Sequence, residues 1–131
     1  MAGETEVYVR YCDTDVFGHV NNTSYFLYLE EGRTKFFSEL CPKRPDSLNF
    51  IIASITCDYI EQAYPSETLK VITRVVKIGM KSFHLEQTIR NEVKDLVIAK
   101  ATAVIVCFNY KEERTIPIPK SLRADLESRL A

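Results

Sequence analysis

Apolar positions along this chain follow two periods. Residues 6–11 alternate, with Val7 and Val9 set between Glu6, Tyr8 and Arg10, and predict a first strand. From Tyr25 the spacing becomes helical: Tyr25, Tyr28, Leu29, Gly32, Phe36 and Leu40 share one face. Phe26 and Leu27 widen that stripe almost all round, which predicts a helix buried on most sides and wrapped by a sheet. Asn21, Asn22, Thr23 or Ser24 can cap its start, because their side-chain oxygens accept from the open N–H groups of a first turn. Cys41-Pro42 ends it.

After a turn-rich linker from Pro42 to Ser47, alternation returns. Ile51, Ala53, Ile55, Cys57 and Tyr59 alternate with Ser54, Thr56 and Asp58 over a strand at 50–62. Tyr64-Pro65-Ser66 breaks the run. A second strand at 67–78 carries Leu69, Val71 and Val75 on one side, and Gly79-Met80-Lys81 turns the chain. Phe83, Leu85, Gln87 and Ile89 then alternate with Ser82, His84, Glu86, Thr88 and Arg90, giving a strand with one wet face. Beyond a turn at 91–95, residues 96–109 form the longest strand. Its Ala99, Ala101 and Ala103 are small enough to admit another element closely, and the helix with its Gly32 is the expected neighbour. Ile116-Pro117-Ile118-Pro119 leads into a short amphipathic helix near 120–130.

The implied class is α+β: a single domain over 1–131, with a curved antiparallel sheet around one long central helix. One helix on one face leaves another face or an edge to be covered. For a chain this small a second copy is the economical cover, so a dimer or tetramer is expected.

A formal net charge of -1 lacks the basic excess typical of nucleic-acid binders. No apolar run approaches the length of a membrane span. The acidic start, Met1 to Glu6, is not a secretory leader, so a cytoplasmic setting is expected. The cysteines at 12, 41, 57 and 107 form no close pair, which argues against a disulfide framework. Two distant histidines, with no Cys/His cluster, argue against a zinc site.

Candidate chemistry concentrates at Tyr11-Cys12-Asp13-Thr14-Asp15-Val16-Phe17-Gly18-His19-Val20-Asn21-Asn22. A polar loop feeding a helix start can set a carboxylate beside free backbone N–H groups, the pairing acyl transfer needs. Asp15 lies nearer the helix and is the stronger candidate for reaction chemistry; Asp13 reads as the structural loop residue. The Asn22 N–H can polarise a carbonyl oxygen, aided by the helix dipole. His19 reads first as a capping or orienting residue and second as a general base, and Tyr11 as packing or substrate orientation. Lys77, Lys81 and Arg90 around Gly79 read first as solvated hairpin charge, and second as a phosphate-binding patch.

The run Arg10-Tyr11-x-Asp13-Thr14-Asp15-x-x-Gly18-His19-Val20-Asn21-Asn22-x-x-Tyr25, with Glu30 and Arg33 beyond it, resembles hotdog-fold acyl-CoA thioesterases of the 4-hydroxybenzoyl-CoA thioesterase type. The resemblance implies the hotdog fold, paired subunits with sites between them, and acyl-CoA as substrate. It makes Asp15 the catalytic carboxylate, the backbone N–H of Asn22 the carbonyl polariser and Tyr11 an active-site tyrosine. It makes Lys81 and Ser82 contacts for CoA. Some relatives carry a histidine where Asn22 stands; His19, three residues earlier, cannot take that role by position and is assigned to substrate contact.

The expected reaction is hydrolysis of an aliphatic or aromatic, hydroxybenzoyl-like CoA thioester. Asp15 acts as nucleophile or general base, and no cofactor or metal is needed. Acyl carrier protein thioesters are a variant of the same reading. The rivals are a hotdog hydratase or dehydratase, a non-catalytic acyl-CoA-binding protein on the same fold, and a purely structural homo-oligomer.

Overall fold

The computed structural model describes residues 2–131. Its elements run β1 (Gly3–Tyr8), a single 3-10 turn (Tyr11–Asp13), α1 (Asn22–Glu39), β2 (Leu48–Tyr59), β3 (Thr68–Ile78), β4 (Ser82–Asn91), β5 (Leu96–Asn109), β6 (Arg114–Thr115) and α2 (Lys120–Ser128). The strands form one antiparallel sheet in the order β1-β3-β4-β5-β2, with the short β6 paired to β5. This is the α+β arrangement expected from the alternation, with α1 on one face.

The first strand begins and ends earlier than the 6–11 alternation suggests. Beyond Val9 the chain leaves the sheet because the Asp13 carboxylate accepts from the Arg10 N–H (3.0 Å) and winds residues 11–13 into a turn. The later strands lie within two or three residues of their expected bounds. β4 shows the expected wet face: Phe83, Leu85, Gln87, Ile89 and Asn91 are buried, and the residues between them are partly open.

Asn21 supplies the cap of α1, its Oδ1 accepting from the N–H groups of Thr23 (2.8 Å) and Ser24 (3.4 Å). The helix is not buried almost all round. Its buried residues form one stripe, from Ser24 and Tyr25 through Leu29 and Gly32 to Phe36, while Phe26 and Leu27 face solvent. The sheet covers only the side of the helix turned toward it.

Nor does Gly32 approach the alanines of β5. The helix lies over β1 and β3, and a Cβ at position 32 would come within 2.6 Å of Val71 Cγ1 and 3.2 Å of Gln87 Nε2. Ala99 and Ala101 instead share a core cluster with Tyr25, Tyr28 and Leu29. A second cluster at the other end of the sheet joins Phe36, Phe83 and Ile105 to Leu122 and Leu126 of α2.

Beneath Gly32 lies a polar knot. Gln87 donates from Nε2 to the Leu29 carbonyl and to Thr73 Oγ1, both at 3.0 Å, and its Oε1 accepts from the Arg33 guanidinium at 3.2 Å. Burial lowers the Arg33 pKa, opposed by the nearby Glu30 carboxylate. β2 is the far edge of the sheet. Among the described residues it pairs only with β5, its register slips between Ile52 and Ser54, and most of its residues are open.

Candidate active site

The polar loop is held at both ends by backbone bonds. Thr14 bridges Val20, the Asn21 N–H donates to the Asp13 carbonyl (3.0 Å), and the Val20 N–H donates to Ala63 (2.8 Å). Within this frame the chain turns tightly. The Asp15 N–H donates to the His19 carbonyl (3.0 Å), and Gly18, at φ 82, returns its N–H to the Asp15 carbonyl (3.1 Å). Glycine adopts that conformation without a Cβ penalty.

Asp15 is held through one oxygen and open through the other. Its Oδ1 accepts from the Phe17 N–H at 2.8 Å. Its Oδ2 lies 3.8 Å from His19 Nδ1. The same Nδ1 is 3.4 Å from the Val20 carbonyl. Both neighbours are acceptors, a setting that suits a proton on Nδ1. The His19 ring stacks near that of Phe17, with centroids 6.1 Å apart.

Asp13 is different in every respect. It is 3% exposed. Its Oδ2 accepts from the Tyr28 hydroxyl at 2.7 Å and from the Arg10 N–H, and its Oδ1 accepts from the Arg10 guanidinium at 3.1 Å. Burial alone would raise its pKa; the bonds from Tyr28 and Arg10 outweigh that and hold it below the usual carboxylate range. Burial and the bond to Asp13 push the Tyr28 hydroxyl well up. Asp13 is thus the buried, fully bonded carboxylate and Asp15 the partly open one.

Asp15, His19, Val20 and Asn22 form one wall of a cleft of about 360 Å³. The opposite wall comes from the end of β2 and the segment after it: Tyr59, Ile60, Glu61 and Gln62, with Tyr25 at the base. The Asn22 N–H heads α1 and has no acceptor among the described residues. Tyr59 donates its hydroxyl to the Asn22 carbonyl at 3.4 Å and packs against Tyr25, ring centroids 5.4 Å apart. Tyr25 Oη accepts from the Ala63 N–H at 3.3 Å. These contacts fix the far wall against the helix start.

Tyr11 does not line this cleft. It is 84% exposed and borders a neighbouring groove with Cys12, Thr14, Val16 and Pro65. Asp15 lines both depressions and stands on the ridge between them. Lys81 and Ser82 are further off. Tyr59, Ala99 and Ile89 form the sheet row nearest the cleft, whereas Ser82 shares a row with Val106 and Ile51. Those rows stand at opposite ends of β4, about 23 Å apart at ~3.3 Å per residue. The structure therefore joins Asp15, His19 and Asn22 in one site, sets Tyr11 beside it, and does not bring Lys81 or Ser82 of the same chain to it.

Tyr59, Glu61 and Gln62 were not expected in the site. Their only signal is a polar stretch, Asp58 to Gln62, at the close of an alternating strand; nothing local ties it to a loop some forty residues earlier. The four cysteines are free. The described residues contain no group of three or more His, Cys, Asp or Glu placed to hold a metal ion, and no helix long and apolar enough to cross a membrane.

A family model described as the thioesterase-like superfamily matches residues 9–126. The long-chain acyl-CoA thioesterase FadM of Escherichia coli is 28% identical over 127 residues, 95% of this chain and 96% of that protein. The uncharacterized protein YsmA of Bacillus subtilis is 36% identical over 81 residues, a match that spans 61% of this chain and about half, 55%, of its own length. Among solved structures, a predicted thioesterase from Bacillus stearothermophilus superposes with a TM-score of 0.90 at 29% identity, over 100% of this chain and 98% of that one.

Proposed function

We propose that this chain, which belongs to the thioesterase-like superfamily, hydrolyses acyl-CoA thioesters to a carboxylic acid and free CoA, with Asp15 as the reactive carboxylate. The chain is homologous to acyl-CoA thioesterases, which are thioester hydrolases. One observation carries the residue assignment: an open carboxylate oxygen and an open helix-start N–H line the same cleft.

The chemistry follows from that pairing. The thioester oxygen takes the Asn22 N–H, whose partial positive charge is reinforced by the aligned peptides of α1. Asp15 Oδ2 attacks the carbonyl carbon to give a mixed anhydride and CoA thiolate, and water then cleaves the anhydride to the acid and free Asp15; or Asp15 takes a proton from the water that attacks the thioester directly as the thiolate leaves. His19 Nε2, on the same wall, contacts the substrate. The acyl group lies in the cleft toward Tyr25 and Tyr59, and the thiol arm leaves over the ridge toward Tyr11. The acyl group is aliphatic or aromatic.

A homodimer or larger assembly completes the reading. β2 offers a long unpaired edge, the kind of surface a second copy covers. Antiparallel pairing of β2 with its copy turns the partner's β3–β4 hairpin toward the cleft end of this sheet. Lys81 and Ser82 then serve the site of the other subunit, where the CoA phosphates would lie.

The test is thiol release from acetyl-, hexanoyl-, palmitoyl-, benzoyl- and 4-hydroxybenzoyl-CoA. Turnover of at least one, abolished in Asp15→Asn, supports the reading. Tight binding of these thioesters without release by the wild type would instead favour a non-catalytic acyl-CoA-binding protein.

A further inference from the structure

Asp13 and Tyr28 are a buried titratable pair that the hydrolysis itself does not use. We infer that Tyr28 is a positioning residue for Asp15, acting through the Asp13 carboxylate; this rests on Asp15 being the reactive group. Tyr28 sits in the second turn of α1, 5% exposed, and its hydroxyl donates to Asp13 Oδ2 at 2.7 Å.

Asp13 is where three parts of the site meet. Its side chain binds Arg10, which shapes the turn out of β1. Its carbonyl accepts from the Asn21 N–H and from Ser24 Oγ, both at 3.0 Å, which holds the start of α1. Its neighbour Thr14 bridges Val20 and closes the loop that carries Asp15. The bond from Tyr28, in the body of the helix, thus joins these backbone bonds in setting the Asp15 loop relative to the Asn22 N–H.

Removing the Tyr28 hydroxyl leaves Asp13 Oδ2 with the Arg10 N–H alone, in a buried place where a carboxylate needs its full set of donors. The carboxylate then shifts toward the remaining donors and carries the loop with it. Misplacing a reacting group by about 1 Å costs on the order of 100-fold. Binding contacts along the CoA arm are untouched, so the loss falls on turnover rather than on affinity.

The experiment measures kcat and KM for Tyr28→Phe on the best CoA thioester of the panel, beside Asp13→Ala, the double variant and Val75→Ala. Val75 is buried beside α2 in the far core cluster and supplies a matched loss of thermal stability without contact with the loop. Tyr28→Phe is expected to lower kcat roughly 10- to 100-fold with KM within about twofold. The double variant is expected to be no slower than Asp13→Ala alone, because both remove one bond. Asp13→Asn, which keeps an acceptor for the Tyr28 hydroxyl, should recover part of the turnover lost in Asp13→Ala. The inference is overturned if Tyr28→Phe slows turnover no more than Val75→Ala does, if the losses at 13 and 28 multiply, or if KM rises instead. Asp15→Asn is run in parallel. If it keeps wild-type turnover, the reading of Asp15 fails and takes the role of Tyr28 with it. If it is inactive while Tyr28→Phe is unimpaired, only the positioning role falls.

Discussion

Asp15 Oδ2 and His19 Nδ1 stand 3.8 Å apart on one wall of the cleft, both partly open to solvent. A loop closed by the Thr14–Val20 bridge brings them together. Neither is consumed by the bonds that hold that loop: Asp15 keeps one oxygen free, and His19 keeps Nε2.

Asp15→Asn should lower turnover of a good thioester at least ~100-fold, the scale of losing a positioned acid–base group, with an unchanged circular dichroism spectrum. His19→Gln keeps a hydrogen-bonding group and should cost less. Near-wild-type turnover in Asp15→Asn, or a larger loss at His19, would reassign the reactive group.

Stability on the acid side should depend on Asp13. Burial alone would raise its pKa, but the bonds from Tyr28 and Arg10 bring it net below the usual value. The unfolded state therefore binds a proton first as pH falls. The contribution is fully present above the unfolded carboxylate value, about 4, and is lost as pH drops through the lower folded value. Asp13→Asn should cost roughly 1–3 kcal/mol at neutral pH, the range for bonds to a buried charged group. That gap should narrow on acidification. Urea unfolding of both proteins across the acid range measures it; a gap independent of pH would show that Asp13 does not carry the linkage.

Gly32→Ala tests the close approach of α1 to the sheet. In an open helix the change would stabilise by about 1 kcal/mol. Here the new methyl would sit 2.6 Å from Val71 Cγ1 and 3.2 Å from Gln87 Nε2, so overpacking of roughly 1–3 kcal/mol should win. Thr34→Ala, on the exposed side of the same helix, should be near neutral or better. A stabilised Gly32→Ala protein would mean the helix can lift off the sheet at little cost.

Sedimentation at micromolar concentration should show a dimer or tetramer. β2 is twelve residues long with one side unpaired, and Ile52, Tyr59 and Ile60 are exposed on or beside it. Ile52→Lys should weaken association and lower activity together. A fully active monomer would contradict both the assembly and the sharing of a site between subunits.

Lys81→Ala should raise KM for a CoA thioester by about 2- to 10-fold with little change in kcat, because a phosphate contact is shared by ground and transition states. The effect should shrink as salt rises. The same acyl group on a short thiol lacking the nucleotide should be unaffected. Equal losses on both substrates would assign Lys81 to the fold instead.

Much of this was legible in the chain because it is local. Alternation sets the strands over 50–109, since side chains must point to opposite faces of a strand. The cap needed only Asn21 and the N–H groups of Thr23 and Ser24, two and three residues on. The contrast between Asp13 and Asp15 was drawn from their distance to the helix start; the structure makes one buried and the other partly open.

What the chain alone did not decide is everything set by how elements meet. The apolar Phe26 and Leu27 match a buried helix by composition, yet only the sheet's position determines which side of α1 is covered, and it leaves them outside. The alanines of β5 do meet the helix, Ala99 and Ala101 sharing a cluster with Tyr25, Tyr28 and Leu29, but Gly32 falls against Val71 of β3 and Gln87 of β4. Tyr59, Glu61 and Gln62 join the site because the end of β2 folds back beside the start of α1. Lys81 lies far from Asp15 because β4 runs the length of the sheet between its hairpin and the cleft. Periodicity and capping are written within a few residues of each position, so the sequence determines elements and their polar ends. Contacts across the sheet depend on crossing geometry and strand register, which no local pattern encodes, so only the tertiary structure decides what faces Asp15.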